Sequence, residues 1–131
     1  MRISLSQSLV GVLLILRLDN AVATDSLTDS NTIIQSKGAA IKGKSLYLTN
    51  CQQCHDADGR ALANIDVVAA DLTAPDTWHY GTEPGKIFNN IKQGAGLSMP
   101  AYGNSLSDEE IWHIVAHILN IGPNERRPTL P

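Results

Sequence analysis

Two cysteines and a histidine within five consecutive residues, Cys51-Gln52-Gln53-Cys54-His55, constrain this chain more than any other feature of its 131 residues. The C-x-x-C-H spacing is the attachment pattern for c-type haem. One helical turn puts both thiols on the same side, each able to add to one haem vinyl group, and His55 then faces the iron as proximal ligand. The chain contains no other cysteine, so the motif uses both and leaves none over. A thioredoxin-like redox pair would want a βαβ setting that the sequence lacks. A zinc site would want a second pair of ligands. A plain disulfide stays open as a reading for an exported protein.

Export is what the first residues suggest. Arg2 supplies a short positive start, and Leu9 to Leu16 is an apolar run too short to span a bilayer. Ala21-Val22-Ala23 offers the small-x-small pattern of a cleavage site, so residues 1–23 read as a signal peptide, with an uncleaved anchor as the other reading. The expected destination is the periplasm of a Gram-negative-type bacterium, with no stable membrane span after cleavage. Bacteria attach c-type haem outside the cytoplasm, which agrees with this reading. Without residues 1–23 the chain keeps 8 basic and 12 acidic side chains, a net charge of −4. A nucleic-acid partner needs a basic face to neutralise phosphates, so this balance argues against one. Aromatic residues make up only 5% of the chain, thin for a small core, and a haem would supply the missing apolar mass.

The remaining chain reads as one domain. Residues 24–37 are rich in Ser, Thr, Asp and Asn and read as a poorly ordered polar leader. A helical pattern starts after Gly38, with Ala40, Lys44, Tyr47 and Cys51 along one side. Residues 59–75 are loop-like. Lys86 to Lys92 reads as a short helix with Ile87, Phe88 and Ile91 on one face, ended by Gly94 and Gly96. Ser107 and Glu110 form a capping box for a last helix from Asp108 to about Asn120, which Gly122-Pro123 stops. The tail 123–131 reads as irregular. With no convincing strand, the fold class expected is all-α, with long loops that need something to wrap around.

The second iron ligand must come from far along the chain. Met99, in Ser98-Met99-Pro100, is the one methionine left after residues 1–23. A thioether opposite histidine raises the reduction potential and is the electron-transfer arrangement, and Pro100 would stiffen the loop presenting it. A core methionine is the plainer use of such a residue. Three histidines compete with Met99. His113 and His117 have the i, i+4 spacing that can clamp a metal, but they share a stripe with Glu110 and Asn120 that reads as a solvated face. His79, in Trp78-His79-Tyr80-Gly81, reads as a residue bordering the haem or a propionate.

With C-x-x-C-H, Gly43 and Tyr47 ahead of it, Met99-Pro100 after it and Trp112 on the last helix, the sequence resembles the class I, mitochondrial-type, monohaem cytochromes c of bacteria. The resemblance covers residues 38–122, the expected cytochrome c domain. The middle stretch, Ala70 to Thr73, Trp78 to Gly81 and Ile87 to Ile91, resembles the branch that serves periplasmic dehydrogenases. The resemblance implies a fold of three to five helices and long loops around one covalent haem c. It implies that Cys51 and Cys54 bind the haem and that His55 and Met99 hold its iron. It places Gly43 at a close crossing with the last helix, and Trp112 at the aromatic position of that helix. The function implied is single-electron transfer, not catalysis, between redox proteins. A periplasmic dehydrogenase would be the donor, and a terminal oxidase or another cytochrome the acceptor. A haem enzyme or gas sensor with a labile distal ligand, and a fixed relay subunit of a dehydrogenase complex, are the rival readings. Ala95, Leu97, Ala101 and Tyr102 would frame an apolar docking surface.

Two departures from the family stand out. Asp56 follows the haem histidine where glycine is usual, and Ala61 to Asp71 lacks the usual proline. The carbonyl that accepts the Nδ1 proton of His55 is therefore expected from elsewhere, near Asn64 or Ile65, or the bond is a weaker one.

Overall fold

A computed structural model describes residues 25–36, 38–63 and 66–128; the expected signal peptide lies outside them. Five α-helices follow one another: α1 (Asp25–Gln35), α2 (Ala39–Asn50), α3 (Gln52–His55), α4 (Pro84–Gln93) and α5 (Asp108–Ile118). Short 3-10 turns occupy Pro75–Thr77 and Asn124–Arg126. Among the described residues there is no strand, and Ala95 and Met99 form one isolated antiparallel bridge. The expected all-α class holds.

α5 is the axis of the core. Its start is fixed locally: Ser107 Oγ accepts from the Glu110 amide, and the Glu110 carboxylate accepts from the Ser107 amide at 2.8 Å. This reciprocal pair satisfies two amides that the first helical turn leaves unpaired. Beyond it, Ile111, Ile114, Val115 and Ala116 are fully buried, because α1, α2 and α4 all pack on this helix. A helix covered from several sides has little polar face left. His113 is accordingly buried and His117 half-buried, which corrects the expectation of a solvated stripe.

α2 crosses α5 at Gly43. A Cβ there would land on the His113 carbonyl and press on His117 Cβ, so only glycine allows this approach. The buried stripe of α2 is Ala39, Gly43 and Tyr47, which keeps Tyr47 from the sequence reading but replaces Ala40 and Lys44 with their neighbours; Lys44 is exposed. The ring beside Tyr47 on α5 is His117, with centroids 5.0 Å apart. Trp112, on the same helix, stacks on Phe88 of α4 with centroids 4.4 Å apart.

The polar leader is also not irregular. Residues 25–35 form α1, and Ser30 and Ile34, four residues apart on one face, are buried, with Ile34 joining the core. α4 begins two residues earlier than expected because Pro84 sits at the first helical position, where its missing amide costs nothing. Ile87 and Ile91 face inward as expected. Part of the tail is ordered too: Arg126 reaches Asp76 at 2.8 Å, and the Arg127 guanidinium donates to the Gly122 carbonyl. The long segments 67–72, 77–81 and 95–102 close around a hollow beside α2, α4 and α5.

Candidate functional site

The C-x-x-C-H segment follows directly from α2. The Cys51 amide still bonds the Tyr47 carbonyl at 2.8 Å, and the Cys54 and His55 amides both return to the Cys51 carbonyl, at 3.1 and 3.0 Å. This tight turn brings Cys51, Cys54 and His55 to the wall of one cavity of about 630 Å³, within the range of roughly 300–1,000 Å³ typical of cofactor sites. The two cysteines are not bonded to each other. Burial, with Cys54 adding, pushes the Cys51 thiol up to about 11.

His55 is oriented by the Ala70 carbonyl, which accepts its Nδ1 proton at 3.0 Å. This answers the question of the acceptor: it is Ala70, whereas Asn64 and Ile65 lie outside the described residues. With Nδ1 committed, Nε2 is the ring nitrogen available to a metal. Tyr47, fully buried, donates its hydroxyl to the Asp56 carbonyl at 2.7 Å and lies 3.3 Å from the His55 carbonyl. Burial raises the pKa of that hydroxyl well above its ordinary value, so it stays a donor.

Met99 lines the same cavity. It is presented by a small loop: the Ala95 amide donates to the Met99 carbonyl at 3.2 Å, and the Met99 amide to the Ala95 carbonyl at 3.3 Å. Gly94, at φ +84°, makes the loop possible, since a Cβ there would crowd the Met99 carbonyl. Tyr102 then locks the far end, donating its hydroxyl to the Asn50 carbonyl at 2.9 Å and its amide to Ile91. The indole of Trp78 donates to the Asp71 carbonyl at 2.7 Å and fixes the wall that includes Leu72. His79 lines the cavity at its exposed side. His113 and His117 do not reach it: they lie at the α2–α5 contact, and His117 Nε2 is buried without a partner.

The structure thus brings Cys51, Cys54, His55 and Met99 to one chamber, as the sequence reading required. Sequence reasoning missed the polar braces: the Trp78 indole and the Tyr102 hydroxyl donate to backbone carbonyls and Ala70 accepts through its own carbonyl, and backbone partners leave no signal in residue type. The residues present fit a haem. Two free thiols stand one turn apart, an imidazole is fixed through Nδ1, a thioether sits on a braced loop, and the chamber between them is mainly apolar.

Residues 38–118 match the family model described as cytochrome c oxidase, cbb3-type, subunit III. The chain is 30% identical over 101 residues to the cbb3-type cytochrome c oxidase subunit CcoP of Azospirillum sp. (strain B510), a match covering 76% of this chain and 34% of that protein. It is 34% identical over 79 residues to a thiosulfate dehydrogenase of Stutzerimonas stutzeri (strain A1501), covering 59% of this chain and 25% of that one. The chain therefore spans about a third or less of the length of these curated relatives. Among solved structures, cytochrome CL of Methylophaga aminisulfidivorans superimposes with a TM-score of 0.61 at 22% identity, covering 79% of this chain and 70% of that one. That likeness shows the fold: the helices and loops described above are arranged as in a cytochrome c.

Proposed function

The chain belongs to the cytochrome c family described as cytochrome c oxidase, cbb3-type, subunit III, a family of haem-based electron transfer, and on that premise we propose that it is a monohaem electron carrier working in the periplasm, with His55 and Met99 as axial ligands. The observation that supports this most is the convergence of Cys51, Cys54, His55 and Met99, from two distant stretches of sequence, on one mainly apolar cavity.

When bound, the haem supplies an iron that alternates between ferric and ferrous states. The chain's own residues set the terms. Cys51 and Cys54 would hold the group through thioether bonds. Ala70 fixes the His55 ring and makes its Nε2 more basic. Met99 favours the ferrous state and so raises the potential. If His55 and Met99 both held the iron they would leave it no place for a substrate, which is the condition of a carrier rather than an enzyme. Leu97 is fully exposed and Val68 is 89% exposed, both at the cavity wall, and together they offer an uncharged face to a redox partner. Such encounters are small and transient. A periplasmic dehydrogenase as donor and a terminal oxidase or another cytochrome as acceptor fit this role, the second supported by the similarity to an oxidase subunit.

A second reading, a fixed relay within a larger assembly, draws support from the same similarity, since the matched domain is about a third of that subunit. No described helix is long and apolar enough to cross a membrane. Mass spectrometry of the exported chain's N-terminus separates the two readings, since cleavage after Ala23 releases a free carrier.

The test of the haem assignment is the intact mass of the chain exported from a host with haem-attachment machinery. One haem per chain is expected to survive acid–acetone extraction, and none in the Cys51→Ser, Cys54→Ser double variant. A parent chain that loses all its haem to the solvent would sink the proposal.

A further inference from the structure

Asp56, the residue after the proximal histidine, stands at φ 59° and ψ 164°. That corner of backbone space is used almost only by glycine, and glycine is the residue the family usually has there. An aspartate kept in this conformation must contribute something that a hydrogen cannot. Its carboxylate Oδ2 accepts from the amides of Leu62, at 2.5 Å, and Ala63, at 2.8 Å. Its own carbonyl accepts from the Tyr47 hydroxyl and, at 3.3 Å, from the Gly59 amide. The Ala61 amide meanwhile donates to the His55 carbonyl at 3.2 Å.

These contacts fasten the outgoing limb of the loop that leaves His55. The returning limb is closed by the Leu72 amide on the Gly59 carbonyl at 2.6 Å. Between the two closures lies Ala70, whose carbonyl takes the His55 Nδ1 proton. The proline that usually rigidifies this loop is missing, and a side-chain clamp stands where a stiff backbone would otherwise serve. We infer that Asp56 is a positioning residue for the proximal ligand: its carboxylate anchors the loop that carries the Ala70 acceptor and so sets the orientation and basicity of the His55 imidazole. The inference rests on the proposed function, since it assumes that His55 is an iron ligand. Loosening the clamp weakens the Nδ1–H···O bond, makes the imidazole a poorer donor to the ferric iron and raises the reduction potential.

The experiment compares the haem-loaded parent with Asp56→Ala, Asp56→Gly and Asp56→Asn. Three quantities are read: the midpoint potential, the exchange rate of the His55 Nδ1 proton by NMR, and amide exchange at Leu62 and Ala63. Asp56→Gly relieves the backbone while deleting the clamp, so it separates positioning from mere folding even where Asp56→Ala loads poorly. Expected are a higher potential, faster Nδ1 exchange and faster exchange of both amides in Asp56→Gly. Asp56→Asn, whose Oδ1 can still accept from both amides, returns all three close to the parent values. An Asp56→Gly variant with the parent's potential and Nδ1 exchange overturns the inference and leaves the carrier assignment standing. A parent without covalent haem overturns both.

Discussion

At the scale of single residues, the side chains of Tyr47, Trp78 and Tyr102 donate to backbone carbonyls, whereas His117 keeps a ring nitrogen without a partner. Its Nε2 is buried and unpaired, with Tyr47 beside it and the Lys44 ammonium as the nearby charge. Burial first and Lys44 second hold its pKa below the ordinary imidazole value. A histidine depressed in the folded state takes up its proton more readily when unfolded, so stability falls as pH drops below about 6.5 and levels off beneath the folded pKa. Replacing His117 with Phe, which suits the apolar contact and does not titrate, is expected to flatten the stability curve on the acid side of about pH 7. Urea unfolding of both holoproteins across that range checks it; identical slopes would show that His117 carries no such linkage. None of this was legible beforehand. Residue type and spacing place His113 and His117 beside Glu110 and Asn120, and only the coverage of α5 from several sides turns that stripe inward.

At the scale of elements, legibility follows the range of the interactions that define each one. α5 could be read to its first residue because the Ser107–Glu110 box is local chemistry, complete within four residues. The C-x-x-C-H turn was legible for the same reason. α1 was not, because its polar composition hides a two-residue face, Ser30 and Ile34, that has meaning only against another helix. The phase of α2 was missed by one position, since Ala39 and Ala40 differ only in what they face. Gly43 was read correctly from the family resemblance, and it carries the sharpest prediction at this scale. A methyl group there meets the α5 backbone and not a flexible side chain, so the helices must separate. Gly43→Ala is expected to destabilise the holoprotein by about 1–3 kcal/mol or more, the range for overpacking a tight contact. Denaturant unfolding reads this directly, and a midpoint equal to the parent's would mean that the crossing is looser than described.

At the scale of the whole molecule, the helices supply one side of a chamber and the loops supply the rest, with about 630 Å³ between them. A chain with few aromatic residues does not fill that space itself, and the low aromatic content was the early sign of it. The four residues read from sequence as haem and iron ligands all reach the chamber wall, because their chemistry restricts residue type and spacing. The acceptor of the His55 proton did not follow from sequence, because any residue offers a carbonyl and Ala70 was selected by the path of the loop. The central proposal is that Met99 would be the second protein ligand of the haem iron, which would make the chain a carrier. The most direct measurement is the optical spectrum of the holoprotein, oxidised and reduced, with and without carbon monoxide, beside Met99→Ala. The parent should show the weak far-red sulfur-to-ferric-iron band and ignore carbon monoxide when reduced, while Met99→Ala loses the band and binds the gas. A parent that lacks the band and binds carbon monoxide readily would contradict the account and point to a haem enzyme or sensor.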